Sequence, residues 1–181
     1  MQERNAKFVA PLAVVGAALL AVCTGFASAS GTPTGGEIHV YEAAHYAGNI
    51  GEVIITGAIT DHGTDYQGAG PGGSNLLKLS KGSFAVDVSQ IGNKLAGLPI
   101  DQTTCSSHGT VRGSLTIIPN SVADTGAYSN IQPGKTPLAA TASAAYILPR
   151  KNGACDTRQE DYPGVLIVNG SGTVSYAPTN N

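Results

Sequence analysis

Charge is what this chain has least of. Only 12% of its 181 residues are Asp, Glu, Lys or Arg, about half the usual share for a soluble domain. Charge-driven disorder is thereby excluded, because a chain resists folding when it is both polar and highly charged. Ten Lys and Arg stand against twelve Asp and Glu, a net charge of −2 with no basic block. Binding to nucleic-acid phosphates has no electrostatic footing in such a chain. Tryptophan is absent and methionine occurs once. After the first thirty residues Gly, Thr and Ser are abundant and Glu, Lys and Arg scarce, unlike the composition of long helices and coiled coils.

Several motifs are missing too. There is no C-x-x-C, which argues against a redox-active thiol pair, and no G-x-S-x-G, which argues against a serine hydrolase of the α/β type. The cluster Gly68-Ala-Gly-Pro-Gly-Gly73 lacks the Lys-Ser/Thr of a phosphate loop and precedes no helix start. It reads better as a flexible lip over an opening. No cofactor motif is present, and no metal site is expected.

What is there begins with an address. Arg4 and Lys7 lead into the apolar run 12–22, and Ala27-Ser-Ala29 follows. A basic lead, a short apolar core and A-x-A spacing describe a secretory signal peptide over residues 1–29, cleaved after Ala29. The run is too short for the roughly 20 residues of a membrane span, so no stable span is expected after cleavage. A retained anchor and lipidation at Cys23 are the competing readings, with Val22 a poor lipobox residue. Cleavage leaves 8 basic and 11 acidic residues and predicts a secreted protein, extracellular or of the cell envelope. It also leaves two cysteines, Cys105 and Cys155, which pair most simply as a structural disulfide in an oxidising compartment.

The remaining chain divides into a small-residue linker (30–36), one domain (37–177) and a short tail (178–181). Short β-rich runs fill the domain, at 37–42, 52–60, 75–81, 83–88, 104–112, 114–118, 137–148 and 165–176. Several alternate with period two, as in Phe84-Ala-Val-Asp-Val88. Lys81-Gly82 and Gly113 look like tight hairpin connections. No segment carries a convincing helical stripe, and 88–97 and 124–131 suggest single turns at most. Eight strands at this spacing predict an all-β domain, an eight-stranded antiparallel β-barrel or a sandwich. Glycines within strands favour the barrel.

Four segments taken in order carry a resemblance: Ile55-Thr-Gly-Ala-Ile-Thr-Asp-His-Gly63, Leu77-Lys-Leu-Ser-Lys-Gly-Ser-Phe84, Thr125-Gly-Ala-Tyr-Ser-Asn-Ile131 and Gly170-Ser-Gly-Thr-Val-Ser-Tyr176. Together they resemble the allene oxide cyclase-like barrels, the superfamily that also holds the dirigent proteins, and look nearest to its secreted bacterial members. The resemblance implies a barrel whose lumen holds a hydrophobic or phenolic small molecule, and a homo-oligomer as in the plant relatives. It also implies that any catalysis would be of cyclase, isomerase or stereo-directing type, acting by confinement. A non-catalytic structural or interaction protein of the cell envelope, its lumen packed shut, is the competing reading. Small residues along 139–145 tilt toward a cavity.

The densest polar cluster is Asp61-His62-Gly63-Thr64-Asp65-Tyr66. Asp61 and His62 are the catalytic candidates, an acid–base pair at a barrel mouth. A Gly-rich turn capped by Asp is the plainer alternative, and two ligands are too few for a metal. His39 and Tyr41 share one face of the first strand, and Arg112 shares a face with His108. Each would be a ligand contact if inward and a solvated side chain if outward. An inward Arg would need a carboxylate. Tyr128 reads first as a plug packing a barrel end and second as a ligand contact.

Overall fold

The computed structural model describes residues 34–46, 48–158 and 162–178. The expected signal peptide with Cys23, Ala27 and Ala29 lies outside them, as do most of the linker and tail. Eight strands form one wall: β1 (Gly36–His45), β2 (Ile50–Gly57), β3 (Asp61–Tyr66), β4 (Asn75–Leu79), β5 (Gly82–Asp87), β6 (Ser106–Ile117), β7 (Leu138–Ile147) and β8 (Gly164–Tyr176). Each is antiparallel to the next, and β8 returns to pair with β1 from Gly36↔Val174 to His45↔Val165. The sheet therefore closes into an eight-stranded antiparallel barrel. Closure removes most of the free edges through which β proteins aggregate; the part of β6 that extends beyond β5 is covered by a helix instead of a strand.

Alternation produces the inside and the outside. On β1 Ile38 and Val40 are buried while Glu37 and Tyr41 are exposed; on β7 Leu138, Ala140, Ala142, Ala144 and Tyr146 point in. The inward set forms the core with Phe84, Val86, Leu115, Ile117, Leu166 and Val168.

Eight strands were expected and eight form the wall, but two boundaries differ. The run 61–66, read from sequence as a polar turn, is strand β3, with Asp61 and Asp65 buried on its inner face. Gly63 between them lets β3 approach β4, since a Cβ there would strike the backbone of Lys78. Conversely, 104–118 is not a hairpin around Gly113 but the continuous strand β6. Glycine at 113 serves helix packing, because a Cβ would come within 2.9 Å of the Ile91 side chain.

That helix, α1 (Ser89–Ala96), is a full eight residues where only a turn was expected. Asp87 accepts the Ser89 N–H at 2.8 Å, and Ile91 and Leu95 form its buried stripe. Lys94 Nζ donates to the Arg112 carbonyl at 2.6 Å and Ser114 to Gln90 at 2.9 Å, so the helix is tied to β6. Its neighbour Leu98 packs where a Cβ on Gly109 would sit. The small inward residues of β6 and β7 thus make room for protein side chains.

The two barrel ends close differently. At one end the segment 121–133 folds across, bridging β5 at Thr125–Gly126 and β8 at Ile131–Pro133, and buries Tyr128 and Ile131. At the other lie α1, the 68–74 loop and the Cys105–Cys155 disulfide. That bond, spanning 50 residues, constrains the unfolded chain by about 4 kcal/mol on the loop-entropy account. Tyr46, Tyr146 and Tyr162 pack beside it, the first two stacked with centroids 4.3 Å apart.

Candidate functional site

The lumen is not filled. A cavity of about 250 Å³ remains, bounded by inward residues of every wall strand except β2 and roofed by Ile91, Gly92, Leu95 and Ala96 of α1. None of the β7 alanines lines it; Ala140, Ala142 and Ala144 are buried in the core, and Ala139 and Ala145 face outward. Most of the lining is aliphatic, with Phe84 and Tyr46 its two aromatic rings. The volume falls near the lower end of small-molecule pockets, roughly 300–1,000 Å³.

One corner is polar. Glu42, Asp65, Gln67 and Asn75 converge there, with Tyr46 alongside. Three barrel elements supply them at the same end: the last turn-facing half of β1, the end of β3 and the start of β4. Asp65 is only 1% exposed. Its Oδ2 accepts the Asn75 side-chain N–H at 2.6 Å, and Asn75 Oδ1 in turn accepts the Gly68 amide at 3.3 Å. The glycine loop thereby orients Asn75, and Asn75 orients Asp65. Asp65 Oδ1 has no hydrogen-bond partner among the described residues.

Glu42 sits against Asp65. Burial first, and then the neighbouring carboxylate, push the Glu42 carboxyl up to about 8. Burial pushes Asp65 up to about 6, held back by the hydrogen bond from Asn75 and by the proton that the adjacent Glu42 carboxyl can lend. The two groups behave as a pair sharing a proton near neutrality, as adjacent buried carboxyls do. One member can donate a proton while the other accepts one, which is the minimum equipment for acid–base work. The Tyr46 hydroxyl donates to the Leu95 carbonyl at 3.3 Å and pins α1 over the corner. Burial, with Tyr146 and Tyr162 nearby, raises that phenol to about 12.

The residues singled out from sequence fall elsewhere. Asp61 is buried at the closed end, and its carboxylate accepts from Tyr128 Oη (2.6 Å), the His62 amide (2.8 Å), the Lys81 amide (3.0 Å) and the Ser80 hydroxyl. Burial alone would raise its pKa; the hydrogen bonds from Ser80, Tyr128 and the two amides outweigh it and hold it below the usual range. His62 offers Asp61 its backbone, while its side chain is exposed on the outer face, opposite in parity to Asp61. The two therefore form no acid–base pair. His39 and Tyr41 face outward, His39 lying 3.7 Å from Glu37 across the surface. Arg112 is outward as well, because Val111, Gly113 and Leu115 take the inner positions of β6. Tyr128 is buried edge-on against Phe84, centroids 5.3 Å apart, with its phenol raised by burial and by Asp61.

Glu42, Gln67 and Asn75 did not emerge from the sequence. Glu42 had a readable signal, since it continues the inward parity of Ile38 and Val40. Gln67 and Asn75 had none, because their convergence depends on how the glycine loop turns. Among the described residues no three or more His, Cys, Asp or Glu side chains gather as metal ligands, and no helix is long and apolar enough to cross a membrane.

With this geometry in view, comparison with known protein families, with curated proteins and with solved structures finds no match.

Proposed function

We propose that this protein is an exported β-barrel that binds a small lipophilic or phenolic molecule in its lumen. The observation that carries the reading is the cavity itself: about 250 Å³ of largely apolar space with a single polar corner. Apolar walls with a few convergent polar groups are the ordinary make-up of small-molecule sites. An unfilled apolar space of this size also costs stability, which a protein using its lumen for packing alone has no reason to bear. Export rests on the leader-like N-terminus and is compatible with the disulfide. The cyclase- or dirigent-like resemblance suggests catalysis by confinement, and the carboxyl pair would be its acid and base.

A second reading, an interaction protein or homo-oligomer, rests on the outer wall. Ile54, Tyr41 and Ile167 are between 43% and 54% exposed, and they lie on adjacent strands, with Tyr41 opposite Ile54 and Ala43 opposite Ile167. Sedimentation of the purified protein tests that reading.

The lumen reading is tested by an amide NMR titration with propylbenzene and phenol. Shifts confined to amides around Leu77, Val86 and Ile91, and abolished by filling the space with Val168→Trp, are expected. Absence of any lumen shift up to millimolar probe would overturn it.

A further inference from the structure

The polar corner carries a charge without a counter-charge. No Lys, Arg or His lines the cavity. Neither of the two ion pairs found among the described residues, His39–Glu37 and Arg158–Asp156, involves Glu42 or Asp65. A single shared proton between the two carboxyls leaves one negative charge at the edge of an apolar space, where it is poorly solvated. In addition, Asp65 Oδ1 is buried on the cavity wall with no donor from the protein's backbone or side chains other than what Glu42 can lend. Native structures satisfy nearly all such atoms, so an exception in a cavity wall marks a place where something else donates.

We propose that the molecule bound in the lumen is headed by a cationic amine, its ammonium seated between Glu42 and Asp65 and its apolar body lying along Leu77, Val86 and Val168. This rests on the lumen-binding reading above and names the ligand class for that site. An ammonium brings up to three N–H donors and one positive charge. It supplies what the corner lacks: a donor for Asp65 Oδ1 and a counter-charge for the pair. The Gln67 side-chain carbonyl is available as a third acceptor. A neutral hydroxyl would satisfy one oxygen and leave the charge unpaired. A carboxylate would bring a like charge against the pair, so fatty acids and aromatic acids are disfavoured. Asn75 does not replace it, because Asn75 is neutral, directs an N–H to Asp65 Oδ2 and not to Oδ1, and holds the Gly68 amide with its Oδ1.

The test is calorimetric titration of the full-length protein, as purified, with four probes sharing one ring and one short arm: phenethylamine, phenethyl alcohol, phenylacetate and ethylbenzene. Phenethylamine is expected to bind about tenfold or more tighter than the alcohol, the increment of charge-assisted over neutral hydrogen bonds. Phenylacetate is expected to be the weakest. In E42Q/D65N the amine preference disappears while ethylbenzene binding persists, since amide replacement keeps the shape and removes the charge. E52Q, which deletes a charge of the same sign from the outer wall, leaves the preference intact. Equal binding of amine and alcohol, or tightest binding of phenylacetate, would overturn the ammonium assignment and leave the lumen reading standing. Failure of all four probes to bind would overturn both.

Discussion

Asp61 and Asp65 stand four residues apart on the same inner face of β3, and both are almost wholly buried. One lies at the closed end of the barrel and the other at the cavity. Asp61 has four donors on its two oxygens, whereas Asp65 has one donor from Asn75, an oxygen without a partner and a second carboxyl beside it. Burial is common to both, and the donors decide the outcome: the first carboxyl is held low and the second pushed up. A buried acid with a full set of donors is a fastener joining β3 to the β4–β5 hairpin and to Tyr128. A buried acid short of donors is available for chemistry or for a ligand.

Substitution at the two sites gives the largest contrast. Asp61→Ala strands Ser80, Tyr128 and two amides without an acceptor, at about 1–3 kcal/mol for each group left unsatisfied. A loss on the order of 4 kcal/mol is expected after relaxation. Asp65→Asn removes a charge that the fold holds at a cost, and is expected to shift stability by less than about 1 kcal/mol in either direction. Denaturant unfolding of both variants measures the difference, and equal losses would dissolve the distinction.

The pH dependence comes next. A carboxyl raised by the fold is protonated in the native state over a range where it is ionised in the unfolded chain, so unfolding releases a proton and stability falls as pH rises. For Glu42 that range runs from 4.5 to about 8, and a decline on the order of 2 kcal/mol is expected across it once partial solvent access is allowed for. Asp61 has the opposite sign: its contribution is present at neutral pH and is lost on acidification below the usual aspartate range. Unfolding curves taken between pH 5 and pH 8 should flatten in Glu42→Gln. A slope unchanged in that variant would remove the carboxyl pair from the account.

Tyr128→Phe tests the closed end more gently than Asp61→Ala. It deletes one of the four donors to Asp61, at about 1–2 kcal/mol, and leaves the phenyl edge on Phe84. Lumen binding should be unaffected, because Tyr128 lies at the far end from the polar corner. A variant that weakened probe binding as much as it weakened the fold would mean that the two ends are not independent.

The sequence was most legible where hydrophobic alternation carried the information. The inward faces of β1, β5, β7 and β8 can be read from it, as can the Lys81-Gly82 hairpin and the cysteine pairing. It was least legible where polar residues face inward. Asp61-His-Gly-Thr-Asp-Tyr66 has strand periodicity, but its residue types are those of turns, so propensity pointed the wrong way. Gly113 showed the converse: a glycine within a strand signalled close approach of a helix rather than a reversal of the chain. The helix is hard to read because its stripe is two residues, Ile91 and Leu95, in a window otherwise made of Ser, Gln, Gly, Asn, Lys and Ala. Glu42 followed the parity of its strand and was legible in principle, but its partner Asp65 became visible only with the register of β3.

A cylinder rolled from a sheet is no stronger than its seam, and the seam here is easy to find. β5 and β6 share two register pairs, Val86↔Ile117 and Asp87↔Thr116, plus a bond from the Ile118 amide to the Ala85 carbonyl. The ladder from β3 to β4 has four pairs, and β1 and β8 are matched along the whole of β1. Beyond those two pairs, the upper half of β6 is backed by α1 in place of a neighbouring strand. The wall is therefore weakest along one line, and α1, tied to β6 by Lys94 and Gln90, is what reinforces it there.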